Sequence, residues 1–278
     1  MHYFLFVSLL VSGFSSLAMN PSDQLLAACE TGNIQQAVNV LIAGADVNSQ
    51  NRYGVSPLIA AAYNNNSDLV KLLLNKGANL NLKTHLNYIK MPGYSALHAA
   101  LSSLLLADDN ASARLLIAAG IDPFIESGRV VAKLTSGSYL NSLKGQEALD
   151  LARENQPIVV VKLIAEYRDL VSEARLNPSL RALERAVELG MYSLVGPLLK
   201  VVSVSYEQEK KYAQITKQNY LKAKQSNDLA GMFIYQKIGM ILRECLDPMG
   251  PEYRISTTSI VGAYGLPVDV VNSIRQNL

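Results

Sequence analysis

Few side chains in this sequence are of the types that run reactions at neutral pH. There are three histidines, His2, His85 and His98, and two cysteines, Cys29 and Cys245. A metal site or a nucleophile–base pair needs such residues at fixed spacing. The familiar spacings are missing: there is no H-E-x-x-H, C-x-x-C, G-x-S-x-G or Walker loop. Asp108 and Asp109 are adjacent carboxylates, a pair that fits a helix cap or solvated turn better than a metal. Two cysteines cannot build a disulfide framework or a zinc cluster. His98 sits inside SALHAA and Cys29 inside LLAACE, where small apolar neighbours point to packing roles. The sequence therefore reads as one that recognises rather than catalyses, and it implies no cofactor and no metal.

Composition agrees with a folded, neutral scaffold. Of the 278 residues, 49% are hydrophobic and 17% charged, too apolar for a disordered chain. A net charge of +2 leaves no whole-molecule attraction to nucleic acid. Tyrosines number 14 against 5 phenylalanines and no tryptophan; tyrosine suits half-wet sites, binding surfaces included.

The elements that must position these side chains repeat along the chain. SPLIAAAYNNNSDLVKLLLNKGANLN (56–81) aligns with DQLLAACETGNIQQAVNVLIAGADVN (23–48). Leu58, Gly77, Ala78 and Asn81 then fall on Leu25, Gly44, Ala45 and Asn48, each 33 residues apart. Leu97 with Gly120 opens a third copy, Leu149 a fourth, and Leu183 with Gly190 a fifth. Each copy begins with a short helix carrying a small pair such as Ala60-Ala61, where neighbouring helices approach closely. Gly32 ends the first such helix. A second helix follows, with Ile34, Ala37, Val38 and Leu41 at helical spacing, and Leu69, Leu72 and Leu73 in the next copy. No unit can hide its own apolar stripe, so units must stack.

The SPLIAA and SALHAA openings and the AGADVN and KGANLN closes resemble the ankyrin repeat family, over about residues 22–200. The resemblance implies an all-α fold: an ankyrin-type α-solenoid of stacked helix pairs with a helical C-terminal extension. It also implies that His98 hydrogen-bonds neighbouring turn backbone. The expected domains are a leader, 1–18, a repeat domain, 19–200, and the extension, 201–278.

Insertions break the period. LKTHLNYIKMPG (82–93) and FIESGRVVAKLTSGSYLNSLKG (124–145) lie between copies, and each carries a local charge of +2. They project along one edge of a stack, and long connections tend to be functional. The family resemblance places partner contacts on the concave face and loop tips. Here those positions are Arg52 and Tyr53 beside Asn51, Tyr63 on a first helix, and Tyr88, Lys90, Arg129, Lys133 and Tyr139 in the insertions. Tyrosine and arginine favour binding hot spots. The expected partner is an acidic protein, not nucleic acid.

Beyond Lys200 the pattern fades. Residues 206–228 read as one long, mostly exposed helix, and 229–246 as an amphipathic helix with Ile234, Ile238, Ile241 and Cys245 in its stripe. The tail from Thr257 reads as a degenerate closing helix pair or as part of a separate helical module. At the other end, Tyr3–Val11 is apolar and Ser16-x-Ala18 suits a signal peptidase, so export with cleavage after Ala18 is expected. The run is too short for a stable span. Two other readings are a start at Met19, which leaves the protein cytoplasmic, and a retained anchor. The function expected is a non-catalytic, exported protein-interaction scaffold, either of the cell envelope or effector-like. The alternative is an enzyme or stabilising envelope protein whose active part is 201–278.

Overall fold

A computed structural model describes residues 20–85, 91–102, 110–127, 147–155 and 158–246. The leader, Asp108-Asp109, the tail from 247, and Tyr88, Lys90, Arg129, Lys133 and Tyr139 lie outside those residues. Among the described residues every regular element is an α-helix, and the expected all-α architecture of helix pairs is the one adopted. The helices follow in this order. First come α1 (Pro21–Thr31), packed on α2 (Ile34–Ile42), and α3 (Pro57–Tyr63), packed on α4 (Ser67–Asn75), then α5 (Ala96–Ser102) and α6 (Ala111–Ala119). Next are α7 (Ala148–Asn155), α8 (Ile158–Leu176), and α9 (Leu180–Glu188) packed on α10 (Tyr192–Val201). Two long helices close the described chain, α11 (Tyr206–Gln225) and α12 (Leu229–Leu246).

The chain forms two compact units, residues 1–113 with 124–157, and residues 114–123 with 158–278. In the first, first helices stack on first helices: α1 on α3, α3 on α5, and α5 on α7, with α2 on α4 behind. Leu25, Leu58, Leu97 and Leu149 are the buried leucine of each successive layer. Each such burial is worth roughly 1.5–3 kcal/mol. Ala60-Ala61 and Ala99-Ala100 are buried as well, so no larger side chain separates the helices. Second helices start on asparagines that the repeat pattern had not singled out. The side chains of Asn33, Asn66 and Asn110 accept from the backbone N–H of Gln36, Leu69 and Ala113, satisfying donors that a helix start leaves orphaned. The glycines expected to end helices do so with positive φ at Gly32, Gly44, Gly77, Gly120 and Gly190.

The first layer departs from the expected apolar stripe. In α2 the buried residues are Ala37 and Val40, while Ile34 is 39% and Ile42 77% exposed. Among the described residues no layer precedes this one.

In the second unit, α11 lies on α9 and α12 on α10, repeating the first-on-first, second-on-second order of the repeats. Leu183 is buried in α9, as its alignment with Leu149 implies. α11 is exposed over half its residues, and Tyr212, Thr216, Tyr220 and Ala223 are buried along one side. On α12 the buried stripe is Ala230, Ile234, Ile238 and Leu242, so Ile241 and Cys245 sit at its margin. Ion pairs tie the helices together, Arg185 to Glu173 at 2.6 Å and Lys211 to Glu184 at 2.5 Å. The Tyr235 hydroxyl donates to the Glu188 carbonyl at 2.8 Å. No described helix is long and apolar enough to cross a membrane.

Candidate protein-binding edge

The turn after the first repeat is built by one side chain. Asn51 Oδ1 accepts from the N–H groups of Tyr53 (2.9 Å) and Val55 (3.0 Å), and the Gly54 N–H donates to the Asn51 carbonyl (2.8 Å). This is the local bond that makes asparagine a turn residue. Gly54 has φ +75, and a Cβ there would stand 2.7 Å from the His85 ring and 2.9 Å from the Lys83 carbonyl. Only glycine fits both the backbone conformation and the space.

The turn leaves Arg52 and Tyr53 at its tip. The Arg52 guanidinium carbon lies over the Tyr53 ring, 4.8 Å from its centroid, and Tyr53 is 36% exposed. Sequence expectation had placed both residues in a contact site, and the structure joins them into one flat cationic–aromatic surface. Tyr63, also 38% exposed, stands at the far end of α3 and is not part of that tip.

The tip is fastened to the insertions. The His85 N–H donates to the Tyr53 carbonyl at 2.7 Å, and His85 Nδ1 lies 3.2 Å from the Arg52 carbonyl. Gln50 Nε2 donates to the carbonyls of Gly54 (2.6 Å) and Lys83 (3.0 Å). Antiparallel bridges, Lys83 with Ser95 and Glu126 with Glu147, pinch the two insertions at their bases. Lys83 Nζ then donates to the Glu126 carbonyl at 2.8 Å, tying one insertion to the next. Three loop bases thus run side by side along one edge of the first unit, as the insertion spacing implies. Lys83, one of the two positive charges of the first insertion, is a strut: its ammonium is committed to backbone. A second row lies nearby in sequence, where Asn48 Oδ1 accepts from the Asn79 N–H at 2.7 Å, joining equivalent loops of successive copies. Gln50 and the bonds of Asn48 and His85 were missed in the sequence. Their partners lie about one repeat away, and no short motif shows such a pairing.

The candidate reactive residues are placed as structure. His98 is fully buried, and its Nδ1 is 2.8 Å from the Ser95 hydroxyl, within its own helix start. Cys29 is fully buried, and desolvation, with the Glu30 carboxylate adding to it, pushes its thiol up to about 12. A thiol held protonated is a poor nucleophile. Among the described residues no three His, Cys, Asp or Glu side chains group as a metal site would require.

Residues 25–127 match the family model of ankyrin repeats, three copies. That stretch holds the first six helices and the loop edge just described, and ankyrin repeats indicate a protein-interaction scaffold. Two curated relatives share part of the sequence. The human mitochondrial disaggregase is 39% identical over 75 residues, which is 27% of this chain and 11% of that protein. The bovine mitochondrial disaggregase is 30% identical over 170 residues, 56% of this chain and 24% of that protein. The chain thus spans a quarter or less of the length of the relatives it matches.

Proposed function

We propose that this chain is a non-catalytic protein-binding module whose partner seats on the loop edge of the first unit. One observation carries the reading: three loop bases are hydrogen-bonded to one another through Gln50, His85 and Lys83, while Arg52 and Tyr53 point outward from the first. A pre-fastened edge spends little ordering entropy on binding. Tyr88 and Lys90 in the first insertion and Arg129, Lys133 and Tyr139 in the second lie outside the described residues, and by type they favour an acidic partner. Arg52 and Tyr53 anchor it, because a stacked Arg–Tyr pair offers area, charge and rigidity together.

The test is capture of the protein's partner from its native cell, identified by mass spectrometry, followed by affinity measurement with purified components. Arg52→Ala with Tyr53→Ala should weaken the complex about tenfold or more, with helicity unchanged. Affinity within twofold of the parent would reject the edge as the binding site. Disaggregation is not part of the proposal, since the chain spans so small a share of the disaggregases. Residues 1–18 are proposed to direct export, to the envelope or beyond the cell. Recovery of a chain beginning at Met19 from the periplasm or medium supports this; cytoplasmic recovery of the full-length chain sinks it.

A further inference from the structure

Helix α11 carries a second surface, independent of the loop edge. Its buried stripe is Tyr212, Thr216, Tyr220 and Ala223. Flanking it, about 110° round the helix at 100° per residue, Tyr206, Lys210, Lys217, Leu221 and Lys224 fall within about 60° of one another, with Lys217 half-buried. Tyr206 is 62% and Leu221 39% exposed. From Lys210 to Gln225 the chain has five lysines and no carboxylate. Lys211, paired with Glu184, and Lys222 both lie off this stripe. The stripe itself has three lysines at seven-residue spacing, about 10.5 Å from one to the next along the helix. Leu221 sits between the second and third. Lys210 also lies 4.2 Å from the Tyr206 ring centroid and 3.6 Å from Glu207, whose carboxylate is 83% exposed and readily exchanged for a better partner.

We propose that this face docks an acidic α-helix of a partner protein, with carboxylates at heptad spacing opposite Lys210, Lys217 and Lys224 and apolar side chains against Tyr206 and Leu221. A helix with acids every seven residues presents them at the same rise, so all three pairs can form together. Neighbouring phosphates of a nucleic-acid strand are spaced about 3.4 Å along the axis, and a stripe without arginine lacks the fork that grips phosphate. An anionic membrane needs a broad apolar face directed at it; the broad apolar face of α11 is packed on protein.

Fluorescence anisotropy with the full chain tests this. The probe is a labelled synthetic helix of about three heptads, with Glu at every seventh position and Leu beside it. Controls are a peptide of the same composition with the Glu positions shuffled, phosphatidylserine vesicles, and duplex RNA. The heptad peptide should bind, more weakly as salt rises. Lys217→Glu with Lys224→Glu should weaken it about tenfold or more, and Lys217→Gln with Lys224→Gln less but in the same direction. Lys222→Glu, and Arg52→Ala with Tyr53→Ala, should leave affinity within twofold. Circular dichroism should show unchanged helicity, since Lys224 is exposed and Lys217 only half-buried. Equal binding of the shuffled peptide, no effect of the Glu reversals, preference for vesicles or RNA, or loss with the Arg52 and Tyr53 variant would each overturn the proposal.

Discussion

The two units solve the same packing problem with different materials. Helices lying wholly in the first run from 7 to 11 residues, whereas α8, α11 and α12 of the second run to 19, 20 and 18. Helices of two or three turns are not stable alone. In the first unit they are held by buried leucine layers and by asparagine side chains bonded to backbone at caps and turns. In the second, the helices are tied at their surfaces by Arg185–Glu173 and Lys211–Glu184 and inside by phenols. Tyr167 is buried, with its hydroxyl donating to the Ile121 carbonyl at 2.7 Å, and desolvation raises its pKa, the Asp122 carboxylate adding to the rise. The lesson is that one helix-pair plan can rest on backbone stitching or on side-chain pairing. The two should fail in different ways.

The largest difference should come from the core. Leu97→Ala removes a fully buried side chain from the middle of a stack of short helices and should cost about 2–5 kcal/mol. Hydrogen exchange should accelerate over α1, α3, α5 and α7 first. Leu183→Ala should cost a similar amount but speed exchange over α9–α12. Acceleration spread evenly over both units by either change would break the comparison. Next in size is Gly54→Ala. It forces an L side chain into φ +75 and onto the His85 ring, and should cost roughly 2 kcal/mol in urea unfolding. An unchanged midpoint would mean that the loop edge is not pre-fastened.

The layers of the first unit were legible because leucine, alanine pairs and glycine recur in step, and each has a local reason to be where it is. Gly44, Gly77 and Gly120 could be read as helix ends because only a left-handed residue continues the chain there. The pairing of insertions was legible only as adjacency. That Lys83 reaches Glu126, 43 residues on, depends on how far apart two loops emerge, and no local pattern encodes that distance. Of the loop-edge residues, Arg52 and Tyr53 were nominated from type and position. His85 was noticed, but its partners were not. The buried stripe of the long helix α11 was not legible, because Tyr212, Thr216, Tyr220 and Ala223 include no large aliphatic residue and stand among lysines and glutamines.

A smaller effect should separate the units by pH. Burial raises the Asp228 carboxyl, but the Arg114 guanidinium at 2.8 Å and the N–H groups of Gly231 and Ala230 outweigh it and hold the group below its ordinary value. A depressed folded pKa stabilises the fold above the unfolded value. That contribution begins to fade as pH falls through about 4 and is lost below the folded pKa. Arg114→Ala should cost about 1 kcal/mol at pH 7, where the pair is partly solvent-screened, and should flatten the acid limb of the stability curve. An acid limb as steep as the parent's would remove Asp228 from the account of the second unit.

The last contrast concerns the caps. Asn66 accepts from the Leu69 N–H at 3.1 Å and starts α4. Asn66→Ala should cost about 1 kcal/mol, while Asn66→Asp, which keeps the acceptor and adds a charge favoured at a helix N-terminus, should cost a few tenths or nothing. The same pair of changes at Ser205, which caps the 20-residue α11 with a full capping box, should differ less. A long helix already packed on α9 and α12 depends less on its first turn than a nine-residue one does. Equal losses at the two caps, read from urea midpoints, would show that helix length does not set how much each unit leans on its backbone stitching.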